Sequence, residues 1–175
     1  MLASPSDAQD SPSPPAQSPG PGSPDMHPMA RDMLDRMLQA ARAEPDPLKR
    51  RVILDKAAEG IPRALFGAIL NAVASPALGS IEYDVAQAVF LRWAWETPDF
   101  AAAWAAAAPP GPFRREALAE AVGRWAVKNP GDALRWSRAL PAADRRWVLE
   151  NAGRFMGGAS PSSVDEWQKA VQSEK

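Results

Sequence analysis

The sequence contains no cysteine and a single histidine, His27. Without cysteine, the chain has no disulfide, no thiolate metal ligand and no cysteine nucleophile. It also lacks a glycine-rich phosphate loop and any spacing of residues that is typical of metal ligands. Enzymes that depend on these groups are therefore disfavoured, and the sequence predicts no catalytic residue, no cofactor and no metal site.

An excess of charge of one sign is missing as well. The 20 Lys and Arg residues nearly balance the 21 Asp and Glu residues, for a formal net charge of -1. Such a mixed surface gives little support for nucleic acid as the main partner. The predicted partner is an unidentified protein or peptide, and the oligomeric state is left open.

Long hydrophobic runs are also absent. The longest uncharged stretch after residue 28 runs over 64–81, but Ser75, Pro76 and Gly79 interrupt it, and a bilayer span needs about 20 apolar residues. No transmembrane segment and no secretory signal is predicted. The compartment stays open: cytoplasmic for the chain as written, with envelope attachment as the alternative if the true start lies upstream.

Residues 1–28 differ in composition from the rest of the chain. They hold eight of the 19 prolines and six serines, with three Asp and no Lys, Arg or aromatic residue. A segment with so little to bury is predicted to be a disordered or polyproline-like arm. It is either a tether or an unselected low-complexity terminus. Residues 29–175 are predicted to form one folded domain.

One pattern of tryptophan, proline and tryptophan recurs at a period of 32 and then 31 residues, and its third copy lacks the first tryptophan. The copies are Trp93, Pro98, Trp104; Trp125, Pro130, Trp136; and Pro161, Trp167. Self-similarity at about this period is typical of helical hairpins that bury their apolar faces against their neighbours. The sequence therefore predicts an all-α fold, an open array (α-solenoid) of antiparallel helical hairpins.

Proline, glycine and capping residues divide this domain into about nine helices. The predicted helices cover 29–43, 48–59, 63–74, 81–96, 98–108, 113–128, 131–139, 142–156 and 161–171. Proline is tolerated in the first turn of a helix, and Pro98, Pro130 and Pro161 are predicted helix starts. Thr97 and Asn129, each directly before one of these prolines, are predicted to cap their helices.

The segment Trp-Ala-x-x-Asn-Pro-x-x-Ala-x-x-Trp at 125–136 is followed by Leu140 and Pro141. It resembles the unit of bacterial tetratricopeptide-like helical-repeat proteins, in which Asp usually replaces Asn. The resemblance covers about residues 80–172; it is complete in this unit, partial in the one before and weak in the one after. It implies an α-solenoid, often on envelope-attached proteins, with no shared catalytic motif.

The tryptophans fall into two groups. Those that recur with the period are predicted to fill the space between paired helices, the alternative being platforms on which bases or sugars stack. This repeat-core group is Trp93, Trp104, Trp125, Trp136 and Trp167. Trp95 and Trp147 lie outside the repeated positions, and they are predicted to be exposed and to contact a partner.

Arginine pairs also recur. Arg145 and Arg146 follow Arg114 and Arg115 by 31 residues, so stacked units would align them as one positive edge, which the pair at 50–51 could extend. The alternatives are ordinary solvated arginines, a groove for acidic peptides and a site for phosphates. The helix dipole disfavours arginines at helix starts, which hints at a use other than local stability.

Glu116 and Glu120 are four residues apart and share a helix face, which is the minimum for a catalytic carboxylate pair. An ordinary solvated face, paired with nearby arginines, is favoured instead. The predicted function is therefore a non-catalytic helical-repeat scaffold for protein–protein interaction. The alternatives are a binder of phosphate-rich or nucleic-acid ligands through the arginine edge, and an enzyme of unrecognised type.

Overall fold

The computed structural model describes residues 26–73 and 75–173. In this part of the chain all regular structure is helical, which confirms the predicted all-α fold. The α-helices are α1 Pro28–Ala43, α2 Pro47–Glu59, α3 Phe66–Ala72, α4 Ile81–Glu96, α5 Pro98–Ala107, α6 Pro112–Lys128, α7 Pro130–Arg138, α8 Ala142–Asn151 and α9 Pro161–Ser173. Two short 3₁₀ segments, Arg63–Leu65 and Ala152–Phe155, precede α3 and follow α8.

Most of the predicted arm lies outside the described residues. Its last three residues are described, and they join the helical domain. Met26 packs against the core, the His27 side chain accepts a hydrogen bond from the Met29 backbone N–H at 3.2 Å, and Pro28 is the first residue of α1. The single histidine is thus a helix cap, a role that the sequence analysis did not assign to it.

The predicted prolines occupy the first helical positions of α5, α7 and α9. At the start of α7, Asn129 Oδ1 accepts a hydrogen bond from the Asp132 backbone N–H at 3.1 Å, as expected of an N-cap. Thr97 is the N-cap residue of α5, but its side chain makes no capping hydrogen bond. The proline, rather than the threonine hydroxyl, favours the start of α5.

Two predicted helices are shorter than expected. The helix predicted over 63–74 begins as a 3₁₀ segment and ends at Ala72. The α conformation is disfavoured for a residue that precedes proline. Ser75, which precedes Pro76, accordingly leaves the helix and has a positive φ of 53°. The helix predicted over 142–156 changes to a 3₁₀ segment after Asn151, where Gly153 has low helix propensity.

The four first helices, which we define as α2, α4, α6 and α8, contact one another in chain order. The second helices that follow them, α3, α5, α7 and α9, pack beside this row: α3 on α4, α5 on α4 and α6, α7 on α6 and α8, and α9 on α7 and α8. Helix α1 lies against α2, α3 and α4. Along α6 every residue from 117 to 123 is buried, so α6 lies at the centre of the packing.

The repeat-core tryptophans make equivalent contacts in two successive units. The ring centroids of Trp93 and Trp104 lie 6.0 Å apart, with an angle of 48° between the ring planes. Those of Trp125 and Trp136 lie 5.8 Å apart, with an interplanar angle of 53°. All four are partly buried against the core. Trp167 is buried, and its indole N–H donates to the Leu149 carbonyl at 3.2 Å. Each tryptophan pair therefore joins a first helix to its second helix.

Among the described residues, no helix combines the length and the apolar character needed to cross a bilayer.

Candidate interaction cleft on the first helices

The predicted arginine edge meets acidic residues of the next unit. Arg114 donates two hydrogen bonds to the Asp144 carboxylate, at 2.8 and 2.6 Å, and a third to the Ala106 carbonyl at 3.0 Å. Only 13% of the Arg114 side chain and 15% of the Asp144 side chain are exposed. The Arg114 guanidinium lowers the pKa of Asp144, chiefly through these hydrogen bonds. This ion pair joins α6 to α8 at their first turns.

An equivalent pair joins α2 to α4. Arg50 Nε lies 2.8 Å from Asp84 Oδ2, and the next arginine, Arg51, donates to Gln87 Oε1 at 2.9 Å. In the later unit Arg115 lies over the Trp147 ring, its guanidinium carbon 5.3 Å from the ring centroid. In the pairs 50–51 and 114–115, the first arginine thus contacts an aspartate of the next first helix, and the second contacts the residue three positions beyond that aspartate.

The arginines therefore do not form one free positive edge. The positive charges of Arg50 and Arg114 are offset by aspartates. Arg145 is half-buried and donates to the Arg138 carbonyl at 3.2 Å, whereas Arg146 and Arg115 are exposed. The sequence analysis missed the two aspartates, which stand in the first turn of the following first helix.

A cleft of about 440 Å³ opens across α4, α6, α8 and the 3₁₀ segment after α8. We call it the α4–α8 cleft. It is lined by Leu78, Tyr83, Gln87, Pro112, Arg115, Glu116, Glu120, Trp147, Arg154 and Phe155. It draws side chains from three successive first helices, so its lining depends on how these helices pack.

Two guanidinium groups rest on aromatic rings at the wall of this cleft. Arg115 lies over Trp147, and the Trp147 indole N–H donates to the Arg115 carbonyl at 3.0 Å. Arg154 lies 5.4 Å from the Phe155 ring centroid and bonds Glu116 at 3.0 Å. Cations held over rings present N–H donors beside apolar faces. Such a wall can hold a ligand that carries both carbonyl or carboxylate oxygens and apolar groups.

The expectation that Glu116 and Glu120 lie on an ordinary solvated face is wrong for one of them. Glu120 is only 8% exposed, because it lies in the middle of α6, where every residue from 117 to 123 is buried. Its carboxylate accepts from Arg124 at 2.8 and 3.1 Å. Burial raises the pKa of Glu120, and the hydrogen bond from Arg124 opposes this. Each glutamate therefore has an arginine partner: Arg124 for Glu120 and Arg154 for Glu116.

Tyr83 and Gln87 supply the polar groups that α4 contributes to the cleft. The Tyr83 ring packs edge-on against Phe113, with centroids 5.6 Å apart. Burial raises the pKa of the Tyr83 phenol, and the carboxylates of Glu116, Glu120 and, to a smaller extent, Asp84 add to the effect. The phenol is therefore neutral at ordinary pH and can both donate and accept a hydrogen bond.

The two tryptophans outside the repeat positions lie in different surroundings. Trp147 is half-buried in the cleft. Trp95, at the end of α4, is 55% exposed. The Arg124 guanidinium lies 4.2 Å from the Trp95 ring centroid, and Lys128 Nζ donates to the Trp95 carbonyl at 2.9 Å. The cleft residues Arg154, Phe155 and Gln87 were not singled out from the sequence, since the recurring tryptophans, prolines and arginine pairs do not include them.

None of the protein-family models, curated proteins or solved structures compared with this chain matches it.

Proposed function

We propose that the chain is a non-catalytic helical-repeat scaffold and that the α4–α8 cleft binds a segment of another protein. The observation that carries this proposal is the exposed Arg115 lying on half-buried Trp147 inside a cleft built by three first helices. A peptide offers carbonyl oxygens for the guanidinium donors and apolar side chains for the rings. Protein-binding sites are enriched in tryptophan and arginine for these reasons.

We also propose that the helices form an open array. The successive contacts of the first helices and the two equivalent tryptophan pairs support this arrangement. In an open array a row of like helices presents an extended surface, and a bound segment can touch several units at once. The α4–α8 cleft, which draws on three units, has this property.

A selection from a random peptide library displayed on phage tests the proposal. Peptides that bind the full chain are expected to shift the Trp147 indole N–H signal in ¹H–¹⁵N spectra and to leave that of buried Trp167 in place. Their affinity should fall about tenfold or more for Trp147→Ala, because an aromatic anchor is lost. Trp95→Ala is the matched control and should bind normally. Equal binding by the wild type and Trp147→Ala would remove the cleft from the proposal.

The phosphate-binding alternative has less support, because aspartates offset the charges of Arg50 and Arg114. It remains a prediction with a simple test, the salt dependence of binding to duplex DNA. Binding through several phosphates would weaken steeply between low and physiological salt. The enzyme alternative also remains a prediction; a loss of any measured activity in Glu120→Gln, with the fold intact by circular dichroism, would favour it.

A further inference from the structure

A second, smaller pocket of about 250 Å³ lies between the segment before α4 and the segment before α6. Its walls include the side chains of Leu70, Trp104 and Phe113, and the rings of Pro109 and Pro110. The Trp104 and Phe113 rings contact each other edge-on at 6.5 Å. The pocket is thus an apolar slot whose aromatic walls are held in place by core packing.

One wall of this slot carries hydrogen-bond donors. The Trp104 indole N–H donates to Asn71 Oδ1 at 2.9 Å, which orients the Asn71 amide and directs its NH₂ group away from the indole. Asn71 lines the slot, and its NH₂ group carries two N–H donors. A ligand that suits the slot therefore combines apolar surface with carbonyl oxygens.

Proline-rich segments have this chemistry. Proline has a carbonyl acceptor but no backbone N–H, so it brings no donor that an apolar wall would leave unpaired. Its ring packs flat on aromatic side chains, and its fixed φ reduces the entropy lost on binding. Aromatic-lined slots with a nearby side-chain donor recognise such segments by these properties.

We propose that this slot binds a proline-rich segment and that its occupant is Pro12–Pro15 of the same chain. The sequence Pro12-Ser13-Pro14-Pro15 holds the one Pro-Pro step before residue 26. Residues 1–25 carry three Asp and no Lys or Arg, and the rest of the chain carries 20 Lys and Arg against 18 Asp and Glu, so charge neither favours nor opposes this contact strongly. Apolar complementarity favours this occupant, and the inference does not depend on the α4–α8 cleft.

The connection to the domain permits this contact. The chain enters the described structure at Met26, which packs against the core, and α1 then contacts α3, the helix that supplies Leu70 and Asn71 to the slot. Ten residues separate Pro15 from Met26, and an extended chain of that length spans about 35 Å. The 16-residue helix α1 is only about 24 Å long. The linker can therefore reach past α1.

The absence of native cysteine permits a direct test in the full chain. A nitroxide label on Ser13→Cys should broaden the indole N–H signal of Trp104 and leave that of Trp167, in α9, unchanged. The same label in a chain that also carries Pro12→Ser, Pro14→Ser and Pro15→Ser should lose this broadening. These substitutions leave every core residue of the described structure unchanged, so folding is expected to be retained.

Mixed samples distinguish the other occupants. In the mixture, one chain carries the nitroxide and nitrogen at natural abundance, and the other chain carries ¹⁵N and no nitroxide. The Trp104 signal of the ¹⁵N chain should then show no broadening. If the broadening persists in the mixture, the slot binds Pro12–Pro15 of a second copy, and the proposal that it binds this segment of its own chain is wrong. Equal Trp104 signals with and without the proline substitutions would overturn the proposal that this segment fills the slot.

Discussion

Gly123 lies where α6 approaches the 3₁₀ segment after α8. A Cβ added at Gly123 would clash with the Ala152 carbonyl oxygen and would lie 2.8 Å from the Phe155 Cβ. Helix α6 is buried at this point, so the backbones have little room to move apart. Gly123→Ala is therefore expected to lower the free energy of unfolding by about 3 kcal/mol, measured by urea unfolding with tryptophan fluorescence.

Gly67 is the matched control for this substitution. An added Cβ at Gly67 would meet the Trp93 ring at an ordinary 3.6 Å, so Gly67→Ala should leave stability unchanged or raise it by up to about 1 kcal/mol through helix propensity. Equal effects of the two substitutions would mean that α6 and the 3₁₀ segment are not in close contact in solution.

The Arg114–Asp144 ion pair makes stability depend on pH. Arg114 lowers the pKa of Asp144, so the native state binds a proton at this carboxylate less tightly than the unfolded chain does. In the unfolded chain the pKa of an aspartate is about 3.9. The stabilisation is complete above that value and is lost as pH falls through it toward the native pKa. Asp144→Asn should destabilise by about 1.5–3 kcal/mol near pH 7, the range for hydrogen bonds to charged groups, and should show a smaller fall in stability on acidification than the wild type.

An exposed ion pair on α1 provides the comparison. Arg36 and Asp32 form a salt bridge with 68% and 61% of their side chains exposed, and such pairs contribute little. Asp32→Asn should therefore follow the wild-type curve of unfolding free energy against pH. Parallel curves for Asp144→Asn and the wild type would show that the partly buried Arg114–Asp144 pair does not supply the acid sensitivity.

At the scale of the helices, the two tryptophan pairs connect α4 to α5 and α6 to α7. Trp125→Ala and Trp136→Ala should each lower the free energy of unfolding by about 3 kcal/mol. This is near the lower end of the range for replacing a core tryptophan by alanine, because both rings are only partly buried. Since the rings are in contact at 5.8 Å, the double substitution should cost less than the sum. Chemical unfolding of the four chains measures this; strictly additive effects would mean that the rings do not stabilise each other.

The helix starts could be predicted because their causes are local. Proline and a capping side chain act within one turn, and the starts at Pro98, Pro130 and Pro161 follow from them. The burial of Glu120 could not be predicted in this way. A pattern of apolar residues indicates one buried face, whereas the neighbours of α6 on every side are set by the tertiary packing. The aspartates that pair with the arginines were missed for the same reason.

At the scale of the whole molecule, the sequence indicates which units repeat but not which side chains meet between them. The α4–α8 cleft combines α4, α6, α8 and a 3₁₀ segment. Its residues Gln87 and Arg154 are not part of the Trp-Pro-Trp pattern, so the period alone does not bring them together. The period predicts the tryptophan contacts within a unit, and the cleft depends on departures from that period.

The arrangement of the helices also predicts which parts of the chain open first. Residues 117–123 of α6 are all buried, whereas α9 rests on α7 and α8 with only three buried residues, Ser163, Trp167 and Ala170. In an open array the terminal helices can unfold while the central ones remain packed. Hydrogen exchange followed by mass spectrometry should therefore show the slowest amides at 117–123 and much faster exchange in α9. Low denaturant should accelerate exchange in α9 before α6. If both segments exchange at one common rate, the chain unfolds as a single closed unit, and the open-array proposal fails.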